Sequence, residues 1–151
     1  MIAAIIAAAG SGERFGAPIP KALIHLGDKT LLARAVANLA PVVDQIIVTA
    51  PAGYESAIQE IVGDEVTVVT GGSTRSESVR LGLAAVNEEA DFVLVHDAAR
   101  ALASTALTQS VIDALRAGDV AVIPALPEVD TVKVVDIEGY VISTPERSTL
   151  R

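Results

Sequence analysis

A chain of 151 residues that is 51% hydrophobic has room for one domain with a real core, and the absence of cysteine excludes disulfides, thiolate metal sites and cysteine nucleophiles. A formal net charge of −8, with only 11 Lys and Arg, argues against non-specific nucleic-acid binding, which needs a basic face. The apolar start, Met1–Ala9, has no basic flank and is far shorter than a membrane span. It reads as a buried strand of a cytoplasmic protein with no membrane partner, not as a signal peptide.

The predicted elements alternate between strand and helix. Ile2–Ala8 is an apolar run of strand length. Thr30–Leu39 has helical periodicity, Gln45–Ala50 is a second strand, Tyr54–Ile61 a second helix and Val66–Thr70 a third strand. Thr74 followed by Glu77 has capping-box spacing for a helix over Arg75–Val86. Phe92–His96 is a fourth strand. Ser104 caps a helix over Thr105–Arg116, with Gly118 where a C-terminal glycine belongs. Val120–Pro124 is a fifth strand. Thr131–Val135 and Tyr140–Ser143 then form a hairpin around a turn that contains Gly139.

This order predicts a mostly parallel sheet between two layers of helices, with a β-hairpin that no helix covers. The hairpin is either an arm that pairs with another subunit or a flap folded onto its own domain. In such sheets ligands bind outside the carboxyl ends of the strands, which selects the loops after Ala8, Thr70, His96 and Pro124.

Three of those loops carry chemistry. Ala7 to Gly16 reads A-A-A-G-S-G-E-R-F-G. Small residues let backbone N–H groups approach an anion, and Arg14 and Lys21 add positive charge. The alternative is a tight turn with surface cations. The loop is neither a P-loop, since Gly16 precedes Ala17-Pro18, nor a dinucleotide fingerprint, since the third glycine comes one position late. Gly71-Gly72-Ser73-Thr74-Arg75-Ser76-Glu77-Ser78 is a turn into a helix N-terminus, suited to a base or phosphate, or simply a capped turn. Asp97 in Val95-His96-Asp97-Ala98-Ala99-Arg100 is a lone carboxylate past a buried strand. It suits Mg²⁺ shared with substrate phosphates, or a cap on the next turn. His25 and His96 read as structural.

In that order, A-A-A-G-S-G-E-R-F-G with P-K, G-G-S-T-R-S-E-S-V, V-H-D-A-A-R, D-T-V-K and T-P-E-R resemble the 2-C-methyl-D-erythritol 4-phosphate cytidylyltransferases across essentially the whole chain. The resemblance implies a three-layer αβα Rossmann-like nucleotidyltransferase fold with a projecting hairpin arm at about 128–147. It also implies a reaction of CTP with methylerythritol phosphate that releases diphosphate, with Mg²⁺, in a homodimer joined through the arms. Ala8, Ala9, Gly10 and Gly12 match the nucleotide loop, and Gly72, Ser73 and Ser78 match positions near the cytidine. Arg14 and Lys21 match the catalytic triphosphate-binding cations and Asp97 the metal ligand. Arg100, Thr131 and Arg147 match contacts to methylerythritol phosphate. Two departures stand out. Ala101 replaces the usual Pro, which predicts a looser loop around Arg100. The single domain, 1–151, also reads as C-terminally incomplete. Competing readings are a transferase for a sugar phosphate or molybdopterin, or a nucleotide-binding module without turnover.

Overall fold

The computed structural model describes residues 1–10 and 19–151. Four parallel strands form the sheet: β1 (Ile2–Ala7), β4 (Gln45–Ala50), β5 (Thr67–Thr70) and β6 (Phe92–Asp97), in the order β5-β4-β1-β6. β1 lies in the middle because it can be buried on both faces: Ala3, Ala4, Ile5 and Ile6 are all fully buried. Ala7 is in register with Thr49 on one side and Asp97 on the other, so the central strands end level.

The strand period of two divides β1 between the layers. Ile2, Ala4 and Ile6 pack with Leu32, Ala35 and Leu39 of α1 (Leu31–Leu39), Ile58 of α2 (Glu55–Val62) and Ile112 of α4 (Thr105–Arg116). Ile5 faces α3 (Arg75–Leu83), whose Gly82 lies so near that a Cβ there would stand 2.7 Å from Ile5 Cγ2. Only glycine lets the helix lie this close. The arrangement is the three-layer α/β fold that the alternation of elements predicts.

The helix starts form as their sequence signals require. Thr30, Thr74 and Ser104 each accept a hydrogen bond from the backbone N–H three residues on. α2 and α3 run Glu55–Val62 and Arg75–Leu83, displaced or shortened relative to expectation, and Gly118 follows α4 at φ +111°. A minor hairpin of β2 (His25–Leu26) and β3 (Lys29–Thr30) adds two strands too short for periodicity to reveal.

The predicted fifth strand does not form. Residues 120–124 have no strand structure, and Val120 and Ile123 are 99% and 85% exposed. An apolar run supplies strand propensity but no ladder, and this segment pairs with no described strand. β6 is therefore an edge, and its Val95 is 44% exposed. The later hairpin does form, between β7 (Val134–Val135) and β8 (Val141–Ser143), with both strands shorter than predicted and a register shift between Val134 and Val135. Its apolar residues, among them Val141 and Ile142, remain exposed.

Candidate active site at the carboxyl ends of the strands

Backbone hydrogen bonds carry the ladder one residue past each strand. Ala8 N–H donates to Thr49 O at 3.1 Å, Ala98 N–H to Ala7 O at 3.1 Å and Gly71 N–H to Ala50 O at 2.8 Å. The loops after β1, β5 and β6 consequently leave the sheet at one level. The loops after β1 and β5 also touch: a Cβ on Gly71 would overlap the Ala9 side chain. Ala8, Ala9 and Gly10 are thereby placed at the site, while Gly12 and Arg14 lie outside the described residues. Lys21 opens a 3-10 turn, Lys21–Leu23, held by Leu23 N–H donating to Pro20 O and by burial of Ala22.

The turn from β5 into α3 is braced from within. Thr74 Oγ1 accepts from Glu77 N–H at 3.1 Å. The reciprocal half of the capping box lands one residue early, since Glu77 Oε2 accepts from Ser73 N–H at 2.8 Å and from Ser73 Oγ at 2.9 Å. Those bonds, from the Ser73 hydroxyl first and its amide second, hold the Glu77 carboxyl below the usual carboxylate range. Ser78, 2% exposed, donates to Thr74 O at 2.9 Å and accepts from Gly72 N–H at 3.1 Å. Gly72, Ser73 and Ser78 thus form one rigid turn beside Ala9. The outer end of β5 is fixed as well, by Thr70 Oγ1 donating to Glu55 Oε1 at 2.6 Å.

Asp97 ends β6 with two cations on it. Arg75 Nε donates to Oδ1 at 2.8 Å and Arg100 Nε to Oδ2 at 3.4 Å. Burial pushes the Asp97 carboxyl up, but the hydrogen bond and charge of Arg75, then those of Arg100, outweigh it and hold the carboxyl below its ordinary value. Arg75 belongs to the first turn of α3, next to the opposite edge strand. Its bond to Asp97 links the start of α3 to the end of β6. Sequence reasoning assigned Arg75 no role. The available signal was a basic residue at the first position of a helix, where the dipole disfavours it unless an anion is near. Beside Asp97, burial holds the His96 imidazole below its ordinary value.

Arg100 lies beside Asp97, and its loop is tied down. Ala101 is 3% exposed, and its carbonyl accepts from Asn38 Nδ2 at 3.1 Å, as does that of Ala103 at 3.0 Å. The looseness expected from Ala101 in place of Pro is therefore countered by a side-chain staple from α1. Thr131 and Arg147 stand apart from this grouping. Arg147 Nη1 donates to Val129 O at 2.9 Å, at the base of the hairpin. There it lines a shallow, open depression with Pro127, Glu128, Glu146, Ser148 and Arg151.

Among the described residues no group of three His, Asp or Glu could enclose a metal ion, so a cation at Asp97 must draw on oxygens from elsewhere. One carboxylate with phosphate oxygens and water is a sufficient donor set for a hard divalent cation, and Asp97 fits that role.

The 2-C-methyl-D-erythritol 4-phosphate cytidylyltransferase family matches residues 2–151. This chain belongs to that family. It is 49% identical over 152 residues to the 2-C-methyl-D-erythritol 4-phosphate cytidylyltransferase of Rhodococcus jostii, covering 99% of this chain and 67% of the relative. Among solved structures, the 4-diphosphocytidyl-2C-methyl-D-erythritol synthase of Anaerococcus prevotii superposes with a TM-score of 0.86 at 34% identity, over 99% of this chain and 66% of that one. A Mycobacterium tuberculosis protein solved in complex with manganese shares the fold at a TM-score of 0.60 and 27% identity, over 77% of this chain and 60% of that one. The chain thus spans about two thirds of the length of the Rhodococcus jostii and Anaerococcus prevotii relatives. The fold expected from the motifs, a nucleotidyltransferase α/β sandwich, is the one observed.

Proposed function

We propose that this protein transfers a cytidylyl group from CTP to 2-C-methyl-D-erythritol 4-phosphate, releasing diphosphate and forming 4-diphosphocytidyl-2-C-methyl-D-erythritol for isoprenoid biosynthesis. The observation that carries the reading is the meeting of the Ala8–Gly10 loop, the Gly71–Ser78 turn and Asp97 at one end of the sheet. Family membership supplies the identity of the two substrates.

No protein nucleophile is needed. The phosphate of methylerythritol phosphate attacks the α-phosphorus of CTP in line, one P–O bond forms, and the bond to the diphosphate breaks. The chain's contribution is positioning and charge neutralisation. Ala9 and Gly10 present backbone N–H groups to the triphosphate, Ala8 fixes where that nucleotide loop leaves the sheet, Gly12 belongs to the same loop, and Gly72, Ser73 and Ser78 border the cytidine. Arg14 and Lys21 stabilise the charge that builds on the phosphoryl oxygens. Arg100 holds methylerythritol phosphate, together with Thr131 and Arg147 of the hairpin region, which reach the opposite subunit's site in a homodimer. Asp97 holds Mg²⁺, which when bound supplies positive charge to the phosphate oxygens. The manganese in the mycobacterial neighbour supports a divalent cation in this fold. We place the reaction in the cytoplasm; among the described residues no helix is long and apolar enough to cross a membrane.

The test is Lys21→Ala. Turnover of CTP with methylerythritol phosphate should fall by about 10²–10³, the scale of losing one preorganised electrostatic contact, while circular dichroism is unchanged. Equal diphosphate release by variant and parent rejects the assignment. A panel of CTP, UTP, GTP and ATP separates this reaction from those of related nucleotidyltransferases.

A further inference from the structure

The two ion pairs at Asp97 occupy both oxygens of the carboxylate that the proposed reaction needs for its metal. The pairs are unequal. The Arg100 contact, at 3.4 Å, is at the long limit of a hydrogen bond and comes from the turn directly after Asp97. The Arg75 contact, at 2.8 Å, is short and comes from another element. A divalent cation on Oδ1 would stand next to the Arg75 guanidinium, so the two compete for one oxygen. The Arg75 side chain is 60% exposed and can turn away without disturbing the core.

We infer that Arg75 is a counter-ion that withholds Asp97 from a divalent cation until a nucleoside triphosphate draws the guanidinium away. The inference rests on the proposed function and adds a role for a residue to which that function gives none. A triphosphate brings both things the exchange requires. Its charge gives Arg75 a new partner, and its oxygens complete the coordination that Asp97 cannot provide alone. The position of Arg75 favours the handover, because the α3 N-terminus disfavours a guanidinium that has lost its anion. Cation and nucleotide therefore enter as one complex.

The test measures Mn²⁺ binding in the absence of nucleotide, from the electron paramagnetic resonance signal of the free ion. The proteins compared are the parent, R75Q, R75K and the double variant R75Q/D97N. R75Q should bind Mn²⁺ about two- to fivefold more tightly than the parent, the range set by losing one exposed ion-pair competitor. R75K should behave as the parent does, and R75Q/D97N should lose the gain. In steady-state assays with Mg²⁺ and CTP, R75Q should raise KM for CTP about tenfold, as expected for one lost charge-assisted contact. Damaged packing would weaken both kinds of binding, so tighter metal with weaker nucleotide cannot arise from misfolding. Mn²⁺ binding by R75Q that is equal to or weaker than the parent's overturns the inference, as does a gain that survives D97N. Failure of the proposed function looks different: the parent releases no diphosphate from CTP, whatever the Mn²⁺ result.

Discussion

At the scale of single residues, the site is a set of polar groups that hold one another. Glu77 shows how such a group reports on folding. Its carboxyl is held below the ordinary glutamate range by the Ser73 hydroxyl and amide, so the native state favours the ionised form. A depressed folded-state value contributes stability that is complete above the unfolded glutamate value and is lost as pH falls through the folded one. Glu77→Gln should therefore lower the thermal midpoint at pH 7, and its midpoint should approach the parent's as pH falls below the ordinary glutamate value and through the lower folded one. Parallel curves over that whole range would show that the Ser73 bonds contribute nothing. Asp97 could be read as a site residue because position alone nominates a carboxylate just past a buried parallel strand. Arg75 could not be read the same way, since its partner lies 22 positions further on and no local pattern links them. Gly12 and Arg14 lie outside the described residues.

At the scale of elements, β1, β4 and α4 were legible because burial on both faces and helix caps both leave local marks in sequence. Residues 120–124 carry the same apolar mark, yet no strand forms there, because pairing depends on what lies alongside and not on the run itself. Asn38 makes the same point in reverse. It sits in α1, but its amide bridges the carbonyls of Ala101 and Ala103, and its own carbonyl accepts from Thr105 Oγ1 at 2.7 Å. This one side chain links α1 to the loop between β6 and α4. Asn38→Ala removes two hydrogen bonds and leaves the buried end of that loop unsatisfied. It should cost about 1–3 kcal/mol in chemical denaturation. Because the loop carries Arg100, KM for methylerythritol phosphate should rise more than KM for CTP. A variant as stable as the parent would mean that water replaces the amide.

At the scale of the whole molecule, apolar exposure is concentrated late in the chain. Val120, Ile123, Leu126, Ile137, Tyr140 and Ile142 are each at least 66% exposed. A two-stranded hairpin is marginal by itself, so β7 and β8 gain most if something packs on them. The proposed homodimer makes that something a second copy. Ile142→Lys should then shift the sedimenting species from a dimer to the 15.5 kDa monomer. A parent that sediments as a monomer at micromolar concentration would remove the arm from the account of the site.

The contact between Gly82 and Ile5 sets the tempo of events at the sheet ends. Because α3 lies flush on β1, it has no slack in which to slide or rotate. The turn that precedes it is fastened by Glu77 and Ser78. A ligand arriving there meets a backbone already in place, and the response falls to side-chain rotations such as that of Arg75. Rotations of exposed side chains take picoseconds to nanoseconds, whereas helix displacements take microseconds or longer. At the α3 turn, then, ligand arrival calls for side-chain rotation and not for displacement of the helix.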